Sequence, residues 1–349
     1  MSRRVGAGDP RPQRLSLRSG VGLTCLALLV IPGCGSGADN ASKGGTTSPP
    51  STPASSPSGS AETSAPTGRI VFNRGDVGAG KSVVYTMNPD GSDITKLFPG
   101  TAFGARWAPD GSEISIFCCD DGMAAHFVNV KTGDLRTLEI PDPGLETFCG
   151  SAWSPDGKSL ACESYGVDDP SRNGIYSLRV TDGGGLTRIT SNPGGGDIAG
   201  DFSPDGKRLV FVRSKNERPV GIFVINVDGS GLRSLAATDM ILDESGFSGS
   251  WSPSGNNILF VAHEGAGGPK RIWIANADSG APRELPIAPT CQFGCYSPSW
   301  SPDGTKIVFV RHDGSSESIY VVNPDGTGLV QVSDGDGDNP DWGTPRAES

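Results

Sequence analysis

Strand-like runs of apolar residues recur along the chain, and each run follows the same kind of turn sequence. In Ser299–Val310, SWSPDGTKIVFV, an aromatic residue precedes the turn Ser-Pro-Asp-Gly, and the run KIVFV follows it. Proline fixes φ at the second turn position, and glycine supplies a positive φ at the fourth. Related phrases occur at four earlier places: RWAPDGSEISIF, AWSPDGKSLACE, DFSPDGKRLVFV and SWSPSGNNILFV. The pattern predicts five copies of one hairpin unit.

The aromatic residues that open these phrases are almost evenly spaced. The steps between them are 46, 49, 49 and 49 residues, and a sixth aromatic follows 42 residues later; the series is Trp107, Trp153, Phe202, Trp251, Trp300 and Trp342. A strand-rich period of about 40–50 residues is typical of a β-propeller, in which each repeat is one four-stranded blade. The chain also contains 51 glycines and 28 prolines and few helix-forming runs, which favours an all-β fold.

Each repeat can be divided into four strands, A to D, with the aromatic residue at the end of strand A. Six sets of strands B, C and D can be identified, the first starting at GRIVFNR (68–74), but only five have a strand A before them. Residues 338–343 supply a strand A with no strand B after it. We therefore predict a six-bladed β-propeller closed by the C-terminal strand, which joins the first blade and covers its edge.

The hairpin register predicts a disulfide. If Ser-Pro-Asp-Gly is a tight turn, the residue four before the aromatic faces the residue nine after it, which gives the pairs Phe103/Ile116, Ile198/Phe211, Phe247/Phe260, Tyr296/Phe309 and Cys149/Cys162. The last pair predicts a cross-strand bond or two buried thiols in contact, and export from the cytosol favours the bond. Cys291 and Cys295 can close a small loop, with metal binding by CQFGC as the alternative. A bond between Cys118 and Cys119 is less favoured.

The repeated phrase W-S-P-D-G-x-x-I-x-F resembles the PD40 repeat of TolB-like six-bladed propellers. The resemblance covers about residues 68–343, and five near-copies make it specific to that fold. TolB-like proteins of this kind carry an additional α/β domain before the propeller, and here a low-complexity segment stands in its place. The resemblance implies a six-bladed propeller.

The first part of the chain predicts export and a membrane tether. Residues 1–33 join a basic stretch to the apolar run VGLTCLALLVIPG, which is typical of a signal peptide and too short for a membrane span. The residues before Cys34 resemble a bacterial lipobox, which implies lipidation of Cys34; secretion is the alternative. Residues 34–67 are mostly small and polar and predict a disordered tether. The propeller is expected over 68–345 and a disordered tail over 346–349, so the membrane is contacted through the lipid anchor only.

The charge of the chain excludes nucleic acid as a partner. Without residues 1–33 it keeps 24 basic and 38 acidic side chains, a net charge of −14, which repels a polyanion. Residues 75–82, GDVGAGKS, match the P-loop pattern, but a strand follows instead of the required helix, so no phosphate site is predicted. The chain has three histidines and no Gly-x-Ser-x-Gly elbow, and no catalytic set is recognised.

Chain direction places the D–A and B–C loops on one side of the propeller, the loop face, and the Ser-Pro-Asp-Gly and C–D turns on the other, the turn face. The loops do not repeat, and they supply the candidate binding residues: the acids Asp197, Asp201, Asp243, Glu244, Asp336 and Asp338, and the histidines His263 and His312. Asp334, Asp336 and Asp338 alternate in a way that suits calcium, although a solvated turn is the favoured interpretation. No cofactor is expected, with calcium as the alternative. The aspartates of the repeated turns are expected to bond their local backbone.

These features together predict a monomeric, extracytoplasmic, membrane-anchored propeller. We expect it to bind a protein, peptide or other envelope component through its loop face, without catalysis. A propeller hydrolase or lactonase with calcium in the channel is the alternative. A third hypothesis is a sensor of a small ligand such as a sugar.

Overall fold

A computed structural model describes residues 67–75, 82–118, 124–140, 142–216, 218–235, 241–242, 249–263 and 267–344. In these ranges the chain forms β-strands and two 3-10 turns, Pro170–Arg172 and Ala288–Thr290. No helix within them has the length and apolar character needed to cross a bilayer. The strands build six antiparallel sheets, which confirms the predicted six-bladed propeller.

Each sheet is one blade. The first blade contains β1 (Arg69–Arg74), β2 (Val83–Met87) and β3 (Thr95–Phe98), and the second β4 (Ala102–Trp107), β5 (Glu113–Cys118), β6 (Ala124–Asn129) and β7 (Leu135–Glu139). The third contains β8 (Leu145–Trp153), β9 (Ser159–Gly166), β10 (Gly174–Arg179) and β11 (Thr187–Arg188), and the fourth β12 (Asp197–Phe202), β13 (Arg208–Lys215), β14 (Arg218–Asn226) and β15 (Arg233–Ser234). The fifth contains β16 (Ile241–Leu242), β17 (Ser250–Trp251), β18 (Asn257–His263), β19 (Lys270–Asn276) and β20 (Gly280–Glu284). The sixth contains β21 (Cys295–Trp300), β22 (Ile307–His312), β23 (Glu317–Val322) and β24 (Val330–Gln331), and β25 (Asp338–Gly343) follows it.

The C-terminal strand closes the ring as predicted. β25 pairs antiparallel with β1, with Val71 opposite Asp341 and Ile70 opposite Trp342. The Trp342 indole nitrogen also donates to the carbonyl of Thr67 (3.0 Å). Each blade therefore has an innermost strand A, and the six strands A surround a central channel.

The Ser-Pro-Asp-Gly segments form the turns between strands A and B. In the fourth blade the Asp205 carboxylate accepts from the Ser203 hydroxyl (2.5 Å) and the Lys207 N–H (3.0 Å). These hydrogen bonds hold the pKa of Asp205 below its usual value. In the fifth blade Ser254 occupies this position and its hydroxyl lies 3.1 Å from that of Ser252. The repeated aspartates therefore stabilise turns, as predicted.

The repeated aromatic residues pack between blades. Trp153 is 7 % exposed, and its indole nitrogen donates to the Ser115 hydroxyl of the preceding blade (2.9 Å). In the equivalent arrangement of the next blades, Trp251 faces Val210, and its buried indole nitrogen has no hydrogen-bond partner. The repeated aromatic residues thus share their packing, whereas the hydrogen bond of the Trp153 indole depends on the single residue Ser115.

The predicted register is right in one blade and wrong by one residue in three others. Cys149 lies opposite Cys162 as predicted. The other observed pairs are Phe103/Phe117, Ile198/Val212 and Tyr296/Val310, and Phe247 lies outside the described residues. The reason is a β-bulge in strand A, which inserts two extra residues in the third blade and one in the other three.

Both predicted disulfides are present. Cys149–Cys162 joins β8 to β9 with a Cα–Cα distance of 4.5 Å, and Cys291–Cys295 closes a short loop with 5.3 Å between its Cα atoms. The alternative of metal binding by CQFGC is wrong, because both of its sulfurs are bonded to each other. Cys118 is also disulfide-bonded, and the prediction for Cys119 lies outside the described residues.

Candidate functional site

The central channel widens into a cavity of about 310 Å³ at the turn face. Its wall is built from the ends of the strands A, where the residue just before the repeat aromatic lines the cavity in five of the six blades. These residues are not the same in all five: they are Arg106, Asp201, Ser250, Ser299 and Asp341. Two carboxylates from blades on opposite sides of the ring therefore face one cavity.

Each channel aspartate also joins its blade to the next. The Asp341 carboxylate accepts from the backbone N–H of Trp107 (2.9 Å) and the hydroxyl of Ser299 (2.9 Å), and Asp201 accepts from the N–H of Trp251 (3.0 Å). Burial raises the pKa of Asp201 to about 7, and the Asp341 carboxylate acts in the same direction. Asp201 was predicted on the loop face, and the structure places it in the cavity at the turn face.

Asp197 was predicted as a binding residue, and the structure places it in an internal ion pair. Its side chain is buried, and its carboxylate receives two hydrogen bonds from the Arg213 guanidinium (2.8 and 2.7 Å). Asn192 donates a third (3.0 Å). Both carboxylate oxygens of Asp197 are therefore occupied by contacts inside the blade.

The three alternating aspartates of the last loop have three different surroundings. Asp334 is paired with Arg74 (2.7 Å), and the Asp336 carboxylate accepts from the N–H of Gly75 (3.2 Å). Asp338 is partly buried at the start of β25 and accepts from the N–H of Asn339 (2.6 Å). Within the described ranges, no three acidic, histidine or cysteine side chains form a group able to hold a metal ion.

Asp338 belongs to a polar cluster at the loop-face end of the channel. Burial raises the pKa of Asp338 to about 6, and the nearby Glu317 carboxylate acts in the same direction. The Tyr296 hydroxyl donates to Glu317, and Lys270 lies over the Tyr296 ring, 4.9 Å from its centre. Burial and the neighbouring carboxylate therefore both favour the protonated form of Asp338.

The remaining candidates lie on the loop face. The His263 ring nitrogen Nδ1 is 2.8 Å from the carbonyl of Gly268. His312 lies edge-on to Phe293, with 6.4 Å between ring centres. Asp243 and Glu244 lie outside the described residues. The two histidines therefore occupy equivalent blade positions but have different neighbours.

The sequence interpretation missed Phe293, which is 60 % exposed at the tip of the loop closed by Cys291–Cys295. The loop is held by its disulfide, by the 3-10 turn before it and by a hydrogen bond from the Arg311 guanidinium to the carbonyl of Thr290 (2.9 Å). A further hydrogen bond joins the N–H of His312 to the carbonyl of Gly294 (3.0 Å). The sequence signal that could have identified Phe293 is the aromatic residue between the two cysteines of CQFGC.

A second residue that sequence interpretation missed is Glu163 on β9. In most other blades the equivalent residue, three after the partner of the repeat aromatic, is apolar: Phe117, Val212, Val261 and Val310, with Asn73 in the first blade. Burial raises the pKa of Glu163 to about 8, against the hydrogen bond from the N–H of Ala199. Alignment of the repeats would have found it, because a carboxylate stands where valine is usual.

Comparison with known proteins places this architecture among TolB-type propellers. Residues 129–346 match the family model described as the PD40 TolB beta-propeller domain. The fold is similar to the crystal structure of TolB from Acinetobacter baumannii, with a TM-score of 0.62 and 21 % identity over 79 % of this chain and 67 % of that chain. A structure described as TolB from Agrobacterium tumefaciens gives a TM-score of 0.57 and 20 % identity, over 77 % of this chain and 89 % of that one.

An uncharacterized protein of Agrobacterium fabrum is 33 % identical over 162 residues, which are 45 % of this chain and 50 % of that protein. The chain thus spans about half the length of this curated relative. At the identities of the two solved structures, the likeness concerns the fold alone.

Proposed function

This chain belongs to the TolB PD40 β-propeller family, and from that premise we propose that it is a membrane-anchored, extracytoplasmic binding protein. Its partner is a protein or peptide of the cell envelope, it engages that partner through the loop face, and it carries out no catalysis. The disulfides Cys149–Cys162 and Cys291–Cys295 support an extracytoplasmic location, because such bonds persist in oxidising compartments. Lipidation of Cys34 would supply the anchor.

The exposed side chain of Phe293 carries this proposal. Aromatic residues are enriched among the few side chains that contribute most to protein interfaces. A side chain held on a closed loop also loses less conformational freedom on binding. Phe293 meets both conditions, because the Cys291–Cys295 bond fixes its loop and the ring stands 60 % exposed.

Site-specific photo-crosslinking in intact cells tests the partner. A crosslinking amino acid at position 293 should yield one discrete adduct, and the same residue at position 232 should not. Leu232 is a matched control because it is also exposed, 46 %, and follows the C–D turn on the opposite face. Identical adduct patterns from the two positions, or no adduct from either, would contradict recognition through the loop face.

The membrane anchor has its own test. Metabolic labelling with a fatty-acid analogue should mark the native chain, and Cys34→Ala should abolish the label and release the protein from membranes. Retention of the label in Cys34→Ala would place the lipid elsewhere.

The alternative, a propeller hydrolase or lactonase with channel calcium, is favoured by the opposed carboxylates of Asp201 and Asp341. Calcium analysis of the purified protein distinguishes it from a binding protein. One equivalent of calcium, lost in Asp201→Asn, would support the enzyme.

A further inference from the structure

Three blades place an arginine at the same point of strand B, four residues after the partner of the repeat aromatic. These residues are Arg74, Arg213 and Arg311. Each guanidinium lies over a stacked aromatic pair formed by strands B and C, at 5.4–5.8 Å from a ring centre. The pairs are Phe72/Tyr85, Phe211/Phe223 and Phe309/Tyr320. The repeat therefore gives three equivalent cations in three equivalent settings.

Two of these arginines have a carboxylate partner and the third has none. Arg74 is paired with Asp334 and Arg213 with Asp197, each at 2.7 Å. Arg311 lies opposite Cys295, where the fourth blade has Asp197 opposite Arg213.

The contacts of Arg311 within the described chain are neutral. Its Nε donates to the carbonyl of Thr290 (2.9 Å) and its Nη1 to the Tyr320 hydroxyl (2.8 Å). It forms no ion pair with any described residue. Its Nη2 therefore keeps hydrogen-bonding capacity.

This arginine forms part of a polar pocket of about 240 Å³ on the loop face of the sixth blade. Its buried floor includes Ser318 and Tyr320, which are 8 % and 9 % exposed, and its rim is exposed and polar. The lining is Arg311, Asp313, Ser316, Ser318, Tyr320, Gln331, Asp334 and Gly335. Ser318 lies opposite Arg311 in the β22–β23 ladder, and its hydroxyl makes no hydrogen bond to the described chain. Two donors, on one charged and one neutral side chain, therefore adjoin the same space.

An acidic group on the rim complements this cation. Asp313 is exposed, and its Oδ1 accepts from the N–H groups of Ser315 (2.9 Å) and Ser316 (2.8 Å). Its Oδ2 accepts only from the Ser316 hydroxyl (3.0 Å) among the described groups. These backbone and hydroxyl donors hold the pKa of Asp313 below its usual range, so it remains ionised. Asp313 and Arg311 form no ion pair with each other, and both line the same pocket.

We propose that this pocket binds a free α-amino acid. The ligand carboxylate is held by the Arg311 guanidinium and the Ser318 hydroxyl, and its ammonium group faces the carboxylate of Asp313. A guanidinium with a free N–H is suited to a carboxylate, and the pocket is of a size for a molecule with few heavy atoms. The site is separate from the protein-binding role of the loop face and does not depend on it.

Calorimetric titration of the exported protein with each proteinogenic L-amino acid, singly and at millimolar concentration, tests the proposal. At least one should bind at one site per chain. Its amide, which lacks the carboxylate, and its N-acetyl form, which lacks the ammonium group, should each bind about tenfold more weakly or not at all, because charged hydrogen bonds are lost. Absence of binding by every amino acid, or equal binding of the amide, would overturn it.

Three variants link the binding to the pocket. Arg311→Met should weaken binding about tenfold or more, and Lys215→Met, which removes an exposed cation from β13, should not. Because Arg311→Met also loses two hydrogen bonds within the fold, Ser318→Asp is the decisive variant. It gives Arg311 a carboxylate of its own from strand C, whereas Asp197 reaches Arg213 from strand A. The protein should therefore fold normally and lose binding. Ser318→Asp binding the amino acid like the native chain would refute the site.

Discussion

Glu163 makes the stability of the propeller depend on pH. Its carboxyl group lies between the third and fourth blades, where the N–H of Ala199 donates to it and the Asp197 carboxylate lies nearby. Two residues further along β9, and on the same face of the strand, Tyr165 has a pKa raised by burial and by Glu163 itself. No positive charge contributes to this shift, so within the described part of the chain Glu163 is a carboxyl group without a cation of its own.

The sign and size of the effect follow from the two pKa values. The folded chain keeps the Glu163 proton up to about pH 8, whereas the ordinary value is 4.5. Stability from this group is complete below pH 4.5 and is lost as the pH rises through 8. Between pH 4.5 and 7 the loss is about 3 kcal/mol, since each pKa unit is worth about 1.36 kcal/mol.

Glu163→Gln removes the titration while keeping the shape of the side chain. Chemical denaturation from pH 4.5 to 9 should show the native chain losing stability relative to Glu163→Gln by about 3 kcal/mol at pH 7. Glu146→Gln is the control, because Glu146 is exposed on the neighbouring strand β8. Its free energy of unfolding should differ from that of the native chain by the same amount at every pH. If the native chain and Glu163→Gln differ by a constant amount at every pH, the reasoning from burial is refuted.

Three further changes probe the fold and the channel. Replacing Cys149 and Cys162 by alanine should lower the free energy of unfolding by about 3 kcal/mol, as loop entropy predicts for a separation of 13 residues; the loss should vanish when both proteins are reduced. Ser115→Ala should cost about 1–3 kcal/mol in denaturant unfolding, because the Trp153 indole loses its acceptor. Asp201→Asn should raise the melting temperature above pH 7 and have little effect at pH 4, because burial raises the pKa of Asp201 to about 7. A melting temperature of Asp201→Asn that follows the native chain across this range would contradict the third prediction.

The sequence predicted the blades because a propeller repeats its packing, and it predicted less well where the backbone departs from ideal pairing. Among the four pairs that the structure describes, the −4/+9 register rule held for Cys149 and Cys162 alone, where the bulge contains two extra residues. In other blades a single extra residue shifts the pairs. In the bulged strands A, Ser297 and Asn339 have positive φ values of +50° and +47°. Neither residue type predicts a positive φ, as glycine would. The register of strand A could therefore not be read from residue type.

The candidate site was predicted less completely than the fold, for a different physical reason. Acidic residues in the loops were predicted to be binding residues, but Asp197 begins a strand and faces Arg213 across the ladder. A cross-strand partner 16 residues away is visible in the sequence only after the register is known. Phe293 was missed in turn because exposure of an apolar side chain depends on the tertiary placement of its loop.

Positions at which one blade departs from the repeat are better guides to function than positions that all blades share. A residue shared by all blades is explained by a need that all blades share, such as the turn aspartates or the buried aromatics. Glu163 stands where other blades mostly have an apolar side chain, and Arg311 lacks the carboxylate that Arg213 has; neither difference improves blade packing. A buried carboxyl or an unpaired cation has a cost in folding free energy. Such groups are therefore the first places to look for binding or for regulation by pH, and both can be tested without knowing the partner.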